Sequence, residues 1–260
     1  MRGISIGNIE SKILSLIEEY GGLHFSLIDP DKVSFEDVDK LACRLEDLGT
    51  SAILVGGSTG ISESHLDDIV KAIKSSVNIP VILFPGNITG ISRYADAILF
   101  MSLLNSDDPY FITGAQLLGS IIVKRYKLEA IPTAYIIIGE GGTAGYIGRA
   151  RPVPEDKHDI IALYVLTASY MGMRFVYLEK GSGAKTPVSP EAINMSKKLT
   201  SNITLIVGGG IRGGDQAYSL VRAGADIIVT GTIIEEDIEK VKDIVKAVRE
   251  AGRERLKLKT

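Results

Sequence analysis

Residues 203–232 read ITLIVGGGIRGGDQAYSLVRAGADIIVTGT, and this stretch decides the fold. Two short apolar runs, Ile203–Val207 and Asp226–Thr230, each lead into a turn that contains glycine, and a helix is predicted to begin near Asp215 between them. Runs that are almost continuously apolar are typical of strands buried on both faces, as in a parallel sheet covered by helices. The stretch therefore predicts a strand–helix–strand unit.

The same unit repeats along the chain. Six further candidate strands precede it: Leu23–Ile28, Ala52–Val55, Val81–Phe84, Ala97–Phe100, Thr133–Ile138 and Arg174–Leu178. Amphipathic stretches with apolar residues on one face follow most of these strands. Eight such repeats in about 250 residues predict an α/β protein of the (β/α)8 TIM-barrel type, formed by one domain over residues 1–260. An open, doubly wound sheet is the alternative.

Three segments depart from the regular repeat. Residues 85–95, between the third and fourth strands, are too few for a good barrel helix and contain Gly86 and Gly90, so we expect a degenerate helix or loop there. Residues 139–158 are predicted to form a long loop after the fifth strand, where long loops of a barrel are usually functional. The first 20 residues predict an additional N-terminal helix that plugs or flanks the barrel.

The composition excludes several classes of protein. The chain has 29 Lys and Arg against 32 Asp and Glu, a formal net charge of -3, which argues against nucleic acid as a partner. Its single cysteine, Cys43, excludes an internal disulfide. Cys43 lies in a predicted helix, and we expect it to be a core residue rather than a nucleophile. Neither a run of about 18 apolar residues nor a secretory signal is found, so we expect a soluble, cytoplasmic protein.

Glycine-rich turns follow the seventh and eighth strands. Gly208, Gly209 and Gly210 follow Val207, and Gly231 with Thr232 follows Thr230. In a barrel, backbone N–H groups of such turns and the N-termini of the next helices bind phosphate. The alternative is that the glycines only permit tight turns. Phosphate binding is the interpretation that two clusters at matching positions favour.

A carboxylate ends the sixth strand. Because side chains alternate along a strand, Tyr177 and Glu179 point to the same side, which we expect to be the barrel mouth. A carboxylate is badly placed to bind phosphate but well placed to accept a proton from a substrate hydroxyl. The alternative is a structural carboxylate paired with Lys180 or Arg212.

Two further carboxylates follow the first strand. Asp29 and Asp31 flank Pro30 at the end where barrel enzymes carry their catalytic groups. Carboxylate oxygens together with substrate phosphates are the usual ligands of Mg²⁺, and Ser58, after the second strand, could add a hydroxyl. The alternative for these aspartates is a turn that caps the next helix.

Five segments together resemble the geranylgeranylglyceryl phosphate synthases, the archaeal ether-lipid prenyltransferase family. These segments are Leu27–Lys32, Val55–Ser58, Tyr135–Gly145, Tyr177–Gly183 and Val207–Arg212. Single glycine-rich turns of this kind are common among phosphate-binding barrels, whereas the five segments in this order are specific. This chain departs from the family in having Glu140 where Pro is common and Arg149 where Asp is common.

The resemblance implies a Mg²⁺-dependent transfer of a C20 prenyl group from geranylgeranyl diphosphate to the 3-hydroxyl of sn-glycerol 1-phosphate. It implies metal binding at Asp29 and Ser58, and together with the residue pattern above it makes Glu179 and Tyr177 the expected catalytic residues. The implied substrate-binding residues are Tyr177, Leu178, Glu179, Lys180, Gly181, Ser182, Gly183, Gly208, Gly209, Gly210, Gly231 and Thr232. A bacterial relative uses a C35 donor. The length of this polypeptide favours the archaeal type.

A C20 donor needs an apolar trough, for which Phe100–Leu104 and a helix at Phe111–Val123 are the candidates. The same helix carries more apolar surface than one core stripe needs, and the family forms dimers or hexamers, so we expect a homo-oligomer. Contact with a membrane is expected to be transient at most. The alternative functions are an isomerase, aldolase or lyase that acts on a small sugar phosphate, and a non-catalytic phosphate sensor.

Overall fold

Eight parallel strands close into a barrel in chain order in the computed structural model, which describes residues 6–57, 60 and 62–258. The strands are β1 (Leu23–Ile28), β2 (Ala52–Gly56), β3 (Val81–Phe84), β4 (Ala97–Leu103), β5 (Glu129–Ile137), β6 (Phe175–Glu179), β7 (Thr204–Gly208) and β8 (Ile227–Thr230). Strand β1 pairs with both β2 and β8, which closes the barrel. The predicted barrel is confirmed, and the open sheet is wrong.

Helices surround the barrel. They are α1 (Asn8–Tyr20), α2 (Val38–Asp47), α3 (Glu63–Ser76), α4 (Ala115–Tyr126), α5 (Gly142–Ile147), α6 (His158–Tyr170), α7 (Pro190–Leu199), α8 (Gly214–Ala223), α9 (Thr232–Glu236) and α10 (Glu239–Lys257). Serine side chains cap α3 and α7: Ser62 Oγ accepts from the N–H of His65, and Ser189 Oγ accepts from that of Ala192. Among the described residues, no helix combines the length and apolar character that a bilayer span requires.

The irregular segments largely match the sequence prediction. No helix lies between β3 and β4 in the described chain, as the short, glycine-bearing linker predicts. The segment after β5 is not a simple loop, because it contains the short helix α5. A π-helical turn at Tyr110–Gly114 precedes α4, where a continuous α-helix from residue 111 is predicted from the sequence. Strand β5 also begins four residues earlier than predicted, since it pairs with β4 along seven residues.

Two apolar layers hold the barrel together. Alternate strand residues, such as Phe25, Phe175 and Tyr177, fill the interior, while their neighbours pack against the surrounding helices. Ile13 of α1 belongs to the interior cluster, so α1 plugs one end of the barrel. The expectation for Cys43 is wrong: it is exposed, and its Sγ donates to the carbonyl oxygen of Ser76 at 3.2 Å.

Candidate active site

A large pocket opens at the carboxyl ends of the strands. It has a polar end, formed by the turns after β1, β6, β7 and β8, and an apolar end against β3, β4 and α4. In barrel enzymes this face carries the active site, because the loops after the strands converge there. The pocket therefore joins a region suited to phosphate with a region suited to a hydrocarbon chain.

Glu179, the last residue of β6, lines this pocket. Its side chain is 7 % exposed. Oε1 accepts a hydrogen bond from the backbone N–H of Gly181 at 2.6 Å, and Oε2 accepts one from the hydroxyl of Tyr135 at 3.3 Å. The prediction that Tyr177 and Glu179 share the inner side of β6 is confirmed, since Tyr177 also lines the pocket.

The surroundings of Glu179 change its affinity for a proton. Burial raises the pKa of Glu179 above its ordinary value, while hydrogen bonds from Gly181, Tyr135 and Tyr177 partly oppose that rise. Burial and the nearby Glu179 raise the pKa values of Tyr135 and Tyr177 well above 10, so both phenols stay protonated near neutral pH. The cluster thus combines a carboxylate that accepts protons readily with two hydroxyl donors.

The glycine-rich turns after β6, β7 and β8, which we call the phosphate-type turns, meet at the polar end of the pocket. Gly181, Ser182, Gly183, Gly209, Gly210, Gly231 and Thr232 all line it. Ser182 Oγ lies 3.1 Å from Thr232 Oγ1, which joins the turn after β6 to the start of α9. The backbone N–H groups and hydroxyls of these turns can surround a phosphate.

Two of the glycines also have steric reasons to be glycine. A Cβ at Gly208 would lie 2.1 Å from the hydroxyl oxygen of Tyr177, and one at Gly209 would lie 2.7 Å from Oε1 of Glu179. Gly208 does not itself line the pocket, nor does Leu178. Tight turns and phosphate binding are therefore not exclusive interpretations: the missing side chains also make room for the buried Tyr177 and Glu179.

Lys180 and Arg212 do not pair with Glu179. The described structure gives Lys180 a salt bridge to Glu155 and Arg212 one to Glu236. The side chain of Lys180 points away from the pocket, so the structure does not bring it to the other predicted substrate-binding groups. The alternative of a structural ion pair at Glu179 is thus wrong for both predicted partners.

Asp29 lines the pocket at the end of β1, and its Oδ1 accepts from the backbone N–H of Asp31 at 3.1 Å. Asp31 is exposed and is not part of the pocket lining. Ser58 lies outside the described residues. Among the described residues, no group of three or more His, Cys, Asp or Glu could hold a metal ion by itself. A site with the single carboxylate of Asp29 fits Mg²⁺, because this ion commonly takes one or two carboxylates and completes its shell with water and substrate phosphates.

Charged residues of both signs line the pocket. The charged residues that line it, within the described chain, are Lys32, Arg212, Asp29, Glu179, Glu235 and Glu236. Lys32 pairs with Glu235 at 3.0 Å, and Arg212 lies 3.8 Å from Glu236. Both cations of the lining are thus paired with carboxylates of the same lining.

The apolar end contains residues from both predicted trough segments. Phe100, Met101 and Leu103 come from β4, and Phe111, Ala115, Gln116 and Gly119 come from the π-helical turn and α4. The segment after β5 adds Ile147 and Gly148. Glu140 and Arg149, the two departures from the family pattern, are exposed and do not line the pocket.

Tyr135 is the residue of this site to which the sequence assigned no role. In register it pairs with Tyr177, and it contacts both Tyr177 and Phe84 edge-on at ring-centroid distances of 5.4 and 5.8 Å. The signal that could have revealed it is alternation along β5, which puts Tyr135 and Ile137 on one face.

Comparisons with known proteins agree with this geometry. The PcrB family model matches residues 15–251. Geranylgeranylglyceryl phosphate synthase of Thermofilum pendens is 52% identical over 252 residues, covering 96% of this chain and 98% of the relative. The enzyme of the same name from Thermococcus kodakarensis is 54% identical over 242 residues, with 92% and 95% covered.

A solved structure shares the fold. It is (S)-3-O-geranylgeranylglyceryl phosphate synthase from Thermoplasma acidophilum in complex with its substrate sn-glycerol-1-phosphate. It has a TM-score of 0.89 and 38% sequence identity, covering 95% of this chain and 100% of that one. The resemblance inferred from the five sequence segments is confirmed, and the chain belongs to the PcrB family.

Proposed function

We propose that this protein transfers the geranylgeranyl group of geranylgeranyl diphosphate to the 3-hydroxyl of sn-glycerol 1-phosphate. The observation that carries the proposal is that one pocket is lined by Glu179, by the glycine-rich turns after β6, β7 and β8, and by the apolar trough. A sugar-phosphate isomerase, aldolase or lyase needs the turns but has no use for the trough. The relatives named geranylgeranylglyceryl phosphate synthase support the same reaction.

The acceptor is assigned to the polar end. Backbone N–H groups of the turns at Gly181–Gly183, Gly209–Gly210 and Gly231 would bind the phosphate, together with the hydroxyls of Ser182 and Thr232. Tyr177, buried beside Glu179, would orient the glycerol. In this assignment the acceptor's terminal hydroxyl would face Glu179.

Glu179 then acts as the general base. As the hydroxyl oxygen forms its bond to C1 of the prenyl group, its proton passes to the Glu179 carboxylate, and the bond from C1 to the diphosphate oxygen breaks. The diphosphate leaves with that electron pair. Raising the pKa of Glu179 by burial makes it a stronger base for this step.

We propose Mg²⁺ as the cofactor, held by Asp29 and Ser58 with substrate oxygens. When bound there, it would offset the negative charge that grows on the leaving diphosphate. The apolar trough excludes water from the prenyl chain, so the glycerol hydroxyl rather than water reaches C1.

The exposed side of α4 supports a homo-oligomer. Leu117, Leu118 and Ile121 are each more than half exposed there, whereas Val123 of the same helix is buried. Large apolar side chains that stay exposed on one helix face are typical of an interface. Light scattering should give a particle at least twice the 27.9 kDa of one chain, and a particle of one chain's mass would refute this part. We further expect a cytoplasmic, single-domain enzyme.

The reaction is tested with labelled geranylgeranyl diphosphate and purified protein. Label should enter the lipid phase with sn-glycerol 1-phosphate and MgCl₂, and should fail to do so when EDTA replaces the metal. sn-Glycerol 3-phosphate serves as the matched control, because only its configuration differs. Equal transfer to sn-glycerol 3-phosphate would contradict the assigned acceptor. Equal transfer in the presence of EDTA would contradict the assigned cofactor.

A further inference from the structure

Lys180 is a buried cation that directly follows β6. Its side chain is only 4% exposed, and Nζ lies 2.5 Å from Oε1 of Glu155, whose side chain is 55% exposed. A lysine that loses its water needs a partner for its charge, so Glu155 is held firmly at this position. The pair therefore connects two segments that are 25 residues apart in the printed sequence.

These two segments form adjacent walls of the pocket. Lys180 stands between Glu179 and Gly181, which are the proposed base and the first glycine of the phosphate turn. Glu155 belongs to residues 139–157, which we call the mouth loop. The mouth loop lines the pocket through Thr143, Ala144, Ile147 and Gly148, between the polar end and the apolar end.

The mouth loop is fixed on its other side by Asn105. The Asn105 amide donates to the carbonyl oxygens of Ile137 at 2.8 Å and Arg151 at 3.0 Å. Towards β6, backbone packs against backbone: a Cβ at Gly181 would lie 2.8 Å from the carbonyl carbon of Gly141. This packing leaves little tolerance for displacement, and Lys180–Glu155 is the charged link on that side.

We propose that Lys180 and Glu155 are a positioning pair, which holds the mouth loop against the β6 turn and so sets the passage between the phosphate end and the apolar trough. Lys180 acts through Glu155 and does not touch substrate. The inference about substrates rests on the proposed function, whereas the inference about the loop does not.

The test compares Lys180→Met and Glu155→Gln with Lys157→Met. The last variant breaks an exposed pair in the same loop, in which Lys157 Nζ lies 3.4 Å from Asp156. Amide hydrogen exchange of residues 141–153 is measured without substrate, and kcat and the two KM values are measured by prenyl transfer. Glu155→Gln keeps the experiment decisive if Lys180→Met does not fold, since Glu155 is at the surface.

Both variants of the pair should speed exchange in the mouth loop and raise the KM for geranylgeranyl diphosphate by roughly 3- to 10-fold, with kcat within about 2-fold. Lys157→Met should change neither. Exchanging the two charges, Lys180→Glu with Glu155→Lys, should recover at least part of the loss in each readout.

Unchanged exchange in both variants overturns the proposal. An increase in the KM for sn-glycerol 1-phosphate alone also overturns it, because Lys180 would then act on the acceptor. If the wild-type protein transfers no prenyl group, the proposed function fails, and hydrogen exchange still decides whether the pair holds the loop.

Discussion

The hydroxyl of Tyr135 donates to Oε2 of Glu179 across 3.3 Å, although the two residues lie 44 positions apart. With Gly181 donating to Oε1 at 2.6 Å, both carboxylate oxygens have a donor inside the barrel mouth. Each donor stabilises the ionised carboxylate, so the two oppose the effect of burial. The pair Tyr135–Glu179 thus controls at which pH the proposed base is ready to accept a proton.

Replacing Tyr135 by Phe should move the acid limb of the pH profile to higher pH. Loss of the hydroxyl removes a hydrogen bond that lowers the pKa of Glu179, so a larger fraction of Glu179 is protonated and inactive at a given acidic pH. The profile of kcat/KM is the measurement. Tyr170→Phe, at a phenol that is 82% exposed, is the matched control. An unchanged limb in Tyr135→Phe would separate Tyr135 from the titration of Glu179.

Glu179→Gln should lose turnover rather than affinity for the acceptor. Glutamine keeps the shape of the side chain and one acceptor oxygen, which can still accept from the N–H of Gly181, but it cannot take up the proton. Removing a general base typically costs about 10²- to 10⁴-fold in rate. Steady-state kinetics with varied sn-glycerol 1-phosphate separate the two effects. Glu140→Gln, an exposed carboxylate after β5, is the control. A variant with normal kcat and a raised KM would reduce Glu179 to a binding role.

Asp29→Ala should lower kcat/KM by roughly 100-fold or more, since the proposed metal loses its carboxylate ligand. Circular dichroism should stay the same, because Asp29 is at a strand end and not in the core. Asp31→Ala is a close control: this carboxylate is two residues away, exposed and outside the pocket lining. Equal losses in the two variants would favour a turn-capping role over metal binding.

The sequence predicts the fold well because most strand residues are buried on both faces. Alternation along β6 was also enough to place Tyr177 and Glu179 in the mouth. The same alternation directs Lys180 outward, where the structure has it, whereas the family resemblance grouped it with the residues around it. The alternation of side chains is a property of a single strand. It therefore predicts the face on which a side chain lies, but not the residues of other strands that it contacts.

Contacts between strands are harder to predict from the sequence. The hydrogen bond between Tyr135 and Glu179 depends on the register of β5 against β6, in which Ile137 pairs with Glu179.

Helix α5 is not predicted from the sequence, because Gly142 and Gly145 lower the intrinsic helix propensity of this segment. Packing decides there: a Cβ at Gly145 would lie 3.3 Å from Cγ2 of Ile137, so this helix runs close to β5.

Stability should fall on acidification through His24. Its ring nitrogens lie 3.0 Å from Thr50 Oγ1 and 2.9 Å from Thr230 Oγ1, and burial lowers its pKa from 6.5 to about 3. The unfolded chain takes up a proton below pH 6.5 that the folded chain refuses until about pH 3, so stability is lost as the pH falls through this window.

Between pH 7 and pH 5, this linkage should cost the wild type about 2 kcal/mol that His24→Gln does not lose. Urea unfolding at both pH values measures the difference. The comparison with the variant removes the contribution of the carboxylates, which both proteins share. Identical pH dependence in the two proteins would contradict this account, because His24 would then take up its proton over the same pH range in the folded chain as in the unfolded chain.

The central claim is that one pocket joins a phosphate site to an apolar trough that binds the prenyl chain. The most direct measurement is kcat/KM for C10, C15, C20 and C35 diphosphates with sn-glycerol 1-phosphate. Each buried CH₂ contributes about 0.8 kcal/mol, so removing a five-carbon unit that is largely buried should lower kcat/KM by roughly 10- to 100-fold or more. We predict a steep rise from C10 to a maximum at C20. Equal values for all four donors would remove the trough from the mechanism, a maximum at C35 would indicate the bacterial type of reaction, and no transfer from any donor would contradict the account.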